Sequence, residues 1–163
     1  MIKMQYGDKT HIEYLKREYL KIFSDMDNRR ADWIALRDSL IARSVGFQTL
    51  LPPTLDEMLT NDFEVLADIY ELFVSLNLRK SDPLITNGKQ LFNYSDDVTV
   101  NGIRRNKMQP VIASFFMNPA NGFEIHTCHY CDMAYVNAYN INGDKKAQFD
   151  LDHVLDKGRC PIV

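Results

Sequence analysis

Cysteine is scarce in this chain: three residues in 163, with none before position 128. Three cysteines cannot all pair with one another, which argues against a disulfide framework. The positions of Cys128, Cys131 and Cys160 suggest metal ligands or free thiols in a reducing compartment. Glycine and proline are also few, seven and six, which excludes collagen-like and low-complexity chains. No apolar run approaches the roughly 20 residues needed to cross a bilayer. Met1 to Thr10 is short and polar, without the apolar segment of a secretory signal. The expectation is a soluble cytoplasmic protein with no membrane partner. Excess positive charge is missing too: 19 Lys and Arg stand against 22 Asp and Glu, a formal net charge of −3 and a pI near 5.8. That balance argues against a protein that coats nucleic acid, but a nuclease needs only a local basic rim.

What the chain does have is apolar mass. Hydrophobic residues make up 45% and aromatics 11%, enough for one ordinary domain or a helical region with a small module attached. In "HIEYLKREYLKIF" the residues Ile12, Leu15, Tyr19, Ile22 and Phe23 fall on one helical face. Asp25 or Asp27 is placed to cap a second helix carrying Trp33, Leu36, Leu40 and Ile41, which Gly46 is expected to end. Thr54 lies three residues before Glu57, a capping box that follows two prolines. From there Met58, Phe63, Leu66, Tyr70 and Phe73 continue a helical stripe towards Asn77, with Asn61 and Glu64 as a restart signal. Residues 80–106 are rich in turn formers and show no sustained period, so they read mostly as loop. "QPVIASFFM" predicts a short helix with Pro110 in its first turn, stopped by "NPANG".

The pattern changes after Gly122. Tyr135, Asn137 and Tyr139 alternate with Val136, Ala138 and Asn140, "ING" supplies an Asn-Gly turn, and "FDLDHV" alternates again. A two-stranded hairpin is expected. The fold class is therefore α+β: a helical region over 1–120, then a small β module over 121–163.

The residues with the most chemical promise lie in that module. Asp152 and His153 are adjacent, so on a regular strand they diverge, Asp152 sharing a face with Asp150. They serve one site only if the strand ends there, which the following "DKG" permits. A carboxylate that holds a hard cation and an imidazole that takes a proton from water suit phosphodiester hydrolysis. Cys128 and Cys131 can bind one Zn²⁺ through a tight turn, but a structural zinc wants four ligands. Cys160 with His126 or His129 would complete a Cys3His set, at a spacing that fits no common zinc pattern.

The combination of "CHYC", a hairpin with an Asn-Gly turn and "FDLDH" resembles the HNH (His-Me finger, ββα-metal) endonuclease family, in its CxxC-containing bacterial type. The resemblance covers Thr127 to Val163, about a quarter of the chain. It implies metal-dependent hydrolysis of nucleic-acid phosphodiester bonds, with DNA the expected substrate. Asp152 would then be a ligand of catalytic Mg²⁺ or a similar cation, and His153 the general base. Cys128 and Cys131 would form the first half of a four-cysteine structural Zn²⁺ site. Family members of this style carry a second CxxC and a further Asn or His downstream, so a truncated form or fragment of a longer nuclease is expected. The alternative is an inactive remnant acting as a protein-interaction or nucleic-acid-binding module, its helical region holding a partner protein.

Arg104, Arg105 and Lys107 form a small basic cluster, and Lys145 and Lys146 sit at the hairpin tip. On the family reading these five are candidate phosphate contacts. Arg29 and Arg30 read as surface, and Trp33 and its neighbouring aromatics as core. His11 lies in a polar setting with no assigned role.

Overall fold

The structure, a computed structural model, describes residues 9–116, 118–122, 139–141, 144–146 and 159–162. Its elements run α1 (Lys9–Lys21), α2 (Met26–Arg43), α3 (Phe47–Leu50), α4 (Leu55–Leu59), α5 (Phe63–Ser75), α6 (Pro83–Phe92), β1 (Val98–Val100), β2 (Ile103–Arg105), α7 (Gln109–Phe116), a 3-10 turn (Pro119–Asn121), β3 (Tyr139–Ile141) and β4 (Asp144–Lys146). The class is α+β and mainly helical, with a small antiparallel hairpin after the helices. The backbone groups into two compact units, Met1–Ser24 with Gln109–Asp150, and Asp25–Met108 with Leu151–Val163.

The larger unit is organised by α2. Its buried stripe is Arg29, Trp33, Leu36 and Leu40, positions four, three and four apart that share one helical face. α6 packs along it, burying Leu84, Ile85 and Leu91. Leu55 and Met58 of α4, and Ile69 and Phe73 of α5, complete the same core. Trp33 is fully buried and its indole N–H donates to the Pro52 carbonyl at 3.3 Å. Cys160 and Ile162, from the far end of the sequence, belong to this core as well.

Local signals explain most boundaries. Thr54 Oγ1 accepts from the Glu57 amide at 3.2 Å, as its capping position predicts. α2, however, does not end at Gly46. Ser44 adopts extended backbone and stops it, while Gly46 opens α3. A side chain at Gly46 would meet Leu72 Cδ2 at 3.1 Å, so the glycine permits close approach of α5.

Residues 80–106 depart from the loop expectation. Asp82 accepts from the Leu84 amide at 2.9 Å and Pro83 occupies the first turn, so α6 starts with a strong N-terminal signal. The weak helix formers Thr86, Asn87 and Gly88 hid the period. β1 and β2 pair with Val98 opposite Arg105 and Val100 opposite Ile103. Asn101 and Gly102 join them, both at positive φ, 51° and 81°, the backbone of a type I′ hairpin turn.

In the smaller unit, Tyr19 of α1 meets Phe23 and Phe115 edge-on at 5.4 and 5.3 Å, and burial pushes its phenol up to about 12. β3 and β4 pair antiparallel, Tyr139 opposite Lys146 and Ile141 opposite Asp144. Two residues separate Ile141 from Asp144 in sequence, the spacing of a two-residue hairpin. α7 runs beside β4.

Candidate functional site

The β3–β4 strand pairing that lies between the candidate motifs in sequence is described; the reactive side chains of those motifs are not. Asp152, His153, Cys128 and Cys131 lie outside the described residues, as do Asp150, His126 and His129. β4 places Lys145 opposite Asn140 and Lys146 opposite Tyr139 in the backbone register.

The other three basic candidates divide. Arg104 is exposed and its guanidinium donates to Asp97 at 2.7 Å. The Lys107 amide donates to the other oxygen of Asp97 at 2.8 Å, and Lys107 is exposed. The Lys107 N–H, then Arg104, hold the Asp97 carboxyl below its ordinary range. A phosphate here would compete with Asp97 for Arg104. Arg105 is not a surface cation: it is 1% exposed. Its guanidinium donates to Asp25 at 3.0 Å, to Asp32 at 2.8 Å and to the Gln90 carbonyl at 3.3 Å. The phosphate-contact expectation for Arg105 is overturned by that burial. Alternation explains it, since Val98 and Arg105 face each other across the hairpin while Arg104 turns to solvent.

Arg29, read as surface, is also 1% exposed. It donates to the Leu91 carbonyl and, at 2.8 Å, to Asn93 Oδ1. Asn93 Nδ2 in turn reaches the carbonyls of Asp96, Arg105 and Asn106, and the Asn93 carbonyl accepts from the Met108 amide at 3.1 Å. Burial and neighbouring Arg105 pull Arg29 down to about 10, so it stays charged at neutral pH. Among the described residues no buried side-chain nitrogen or oxygen lacks a partner. This polar cluster therefore locks the β1–β2 hairpin onto α2 and α6. A signal for Arg29 existed: it sits four residues before Trp33 on the buried stripe.

Of the Cys3His alternative, only Cys160 lies among the described residues. It is a free cysteine, fully buried in the apolar core, and burial pushes its thiol up to about 12. Among the described residues no group of three or more His, Cys, Asp or Glu side chains is arranged to hold a metal.

One groove marks the larger unit. It measures about 260 Å³ and is lined by Trp33, Ile34, Pro53 and Leu55 beneath the Arg30–Asp56 ion pair. Arg30 donates to both Asp56 oxygens, at 2.9 and 3.0 Å, so its charged rim is engaged internally and offers no hydrolytic group. No described helix is long and apolar enough to cross a membrane. Comparison with protein families, with curated proteins and with solved structures finds no match.

Proposed function

We propose that this chain is a metal-dependent endonuclease of the HNH type that hydrolyses DNA phosphodiester bonds. The observation that carries the reading is the order of its motifs: Cys128-x-x-Cys131, an antiparallel hairpin, then Asp152-His153. The β3–β4 register supports it, because a tight hairpin between those motifs is what brings a metal-binding carboxylate and a base to one end of a finger.

Asp152 would hold a hard divalent cation such as Mg²⁺. That cation, when bound, supplies positive charge at a non-bridging phosphate oxygen. His153 accepts a proton from water as the water oxygen attacks phosphorus, the bond from phosphorus to the leaving sugar oxygen breaks, and that oxygen takes a proton from solvent. Cys128 and Cys131 would supply two thiolates to a zinc whose role would be to stiffen the finger without entering the chemistry. Lys145 and Lys146 follow β3 by sequence and suit phosphates flanking the cleaved bond. Arg104 and Lys107 belong to the larger unit and are secondary candidates for such contact.

A plasmid-nicking assay in Mg²⁺ or Mn²⁺ tests the reading. Wild type nicks supercoiled DNA, and His153→Ala lowers the rate by roughly 10²- to 10⁴-fold, the usual contribution of a general base. Undiminished cleavage by His153→Ala, or none by the wild type in either metal, removes the assignment.

A further inference from the structure

Charge in this chain is segregated along its length. Residues 44–78 contain six carboxylates and no Lys, Arg or His. α1 is the reverse, with Lys9, Lys16, Arg17 and Lys21 against Glu13 and Glu18. On α1 the exposed residues are Lys9, Thr10, Glu13, Tyr14, Arg17 and Lys21. Tyr14 is 36% exposed in their midst. Its ring lies nearly parallel to His11, centroids 6.0 Å apart at 21°, and the Arg17 guanidinium sits 5.8 Å from its centroid. His11, Tyr14 and Arg17 are successive steps of three residues, so planar groups climb one side of the helix with cations at both ends.

A basic amphipathic helix often lies on an anionic membrane, but that requires a free apolar face. Here Leu15 and Phe23 are buried and Tyr19 is packed against Phe115. Among the described residues of α1, the exposed side chains are those of the cationic face. Aromatic rings interleaved with phosphate-binding cations are how single-stranded nucleic acid is held, because unpaired bases expose their flat faces for stacking. From Lys9 to Lys21 the strip spans roughly 18 Å at 1.5 Å per residue, the reach of a few nucleotides.

We infer that the outer face of α1, through Tyr14, Arg17, Lys9 and Lys21, is a contact strip for single-stranded DNA. The inference rests on the nuclease reading for its choice of polyanion, and deepens it by naming where an unpaired strand lies. Arg17 and Lys21 reach phosphates, exchanging their contacts with Glu18. Tyr14 carries a base.

The test is equilibrium binding of the full chain to a labelled single strand of about 20 nucleotides, in EDTA so that no cleavage occurs. Arg17→Ala with Lys21→Ala is the informative variant. Both residues are exposed and alanine favours helix, so folding is retained and circular dichroism checks it. Binding weakens at least about tenfold, and the slope of log K against log salt falls by roughly 1.4 for two lost phosphate contacts. Tyr14→Ala weakens single-strand binding roughly tenfold and leaves duplex binding unchanged. Arg79→Ala with Lys80→Ala removes the same charge elsewhere and changes nothing. Three results overturn the strip: no binding by the wild type, equal loss in the Arg79/Lys80 variant, or better competition by polyglutamate than by DNA. Loss of plasmid cleavage in His153→Ala is a separate readout. Binding through α1 without any cleavage sinks the nuclease reading alone, and cleavage without α1-dependent binding sinks the strip alone.

Discussion

Arg105 is the common donor of Asp25, Asp32 and the Gln90 carbonyl, and removing it takes a donor from all three. Arg105→Ala should destabilise the fold by about 3 kcal/mol, at the lower end for breaking a buried ion pair because both carboxylates retain some access to water. Urea unfolding measures it. Asp25 adds a pH signature. Asn28 first, then Arg105, hold its carboxyl below the ordinary range. A depressed folded pKa stabilises above the unfolded value, about 3.9, and that stability is lost as pH falls through the folded value. The stability gap between wild type and Asp25→Asn is therefore full at neutral pH, narrows below about pH 4, and closes in stronger acid. A gap independent of pH would contradict the pairing. Arg29 was legible from its place on the stripe of Trp33, Leu36 and Leu40. Arg105 was not, because its partners lie 80 and 73 residues away, and no local pattern encodes such a pair.

Among elements, the Asn-Gly dipeptide shows what sequence alone decides. It occurs four times, at 87–88, 101–102, 121–122 and 142–143. At 101–102 it makes the β1–β2 turn with both φ positive, and at 122 the glycine alone takes a left-handed backbone after a 3-10 turn. At 87–88 it lies inside α6. There the segment around Pro161 and Ile162 presses on the helix: a Cβ at Gly88 would meet Pro161 Cγ at 2.9 Å and Ile162 Cγ2 at 3.1 Å. Tertiary packing thus selects a helix that propensity disfavours, which is why α6 escaped a reading by period. Gly88→Ala tests this, since helix propensity alone predicts a gain of about 1 kcal/mol. The packed ring predicts a net loss of roughly 1–2 kcal/mol, relieved in the double variant with Pro161→Ala. The Thr54 cap, by contrast, was plain from spacing, and Thr54→Ala should cost about 1 kcal/mol, read as a shift in thermal midpoint.

For the whole molecule, the candidate site is a reading of short motifs outside the described residues, and the fold beside it is what the structure adds. Asp152-His153 and Cys128-x-x-Cys131 are short motifs whose chemistry is written in adjacent letters. An antiparallel pairing does lie between them, but β4 is Asp144–Lys146, in the stretch read as the turn, while the "FDLDHV" strand lies outside the described residues. What no motif announces is that Cys160 and Ile162, a few residues beyond His153, close the core built by α2, α4, α5 and α6. The larger unit draws on both ends of a long sequence separation, so its stability depends on residues far from most of its contacts. Deleting 159–163 should remove the buried Cys160 and Ile162 side chains and uncover Gly88, at a cost of about 3–5 kcal/mol by analogy with large-to-small core changes. Trp33 is the only tryptophan and is fully buried in that core, so its fluorescence follows the unfolding of this unit. The urea midpoint should fall sharply in the deletion variant. Cys160 gives an independent check by peptide mapping: with its thiol near 12 it should resist alkylation in native protein and react once urea opens the core. An unchanged midpoint together with native alkylation of Cys160 would show that the end of the sequence is not part of the core.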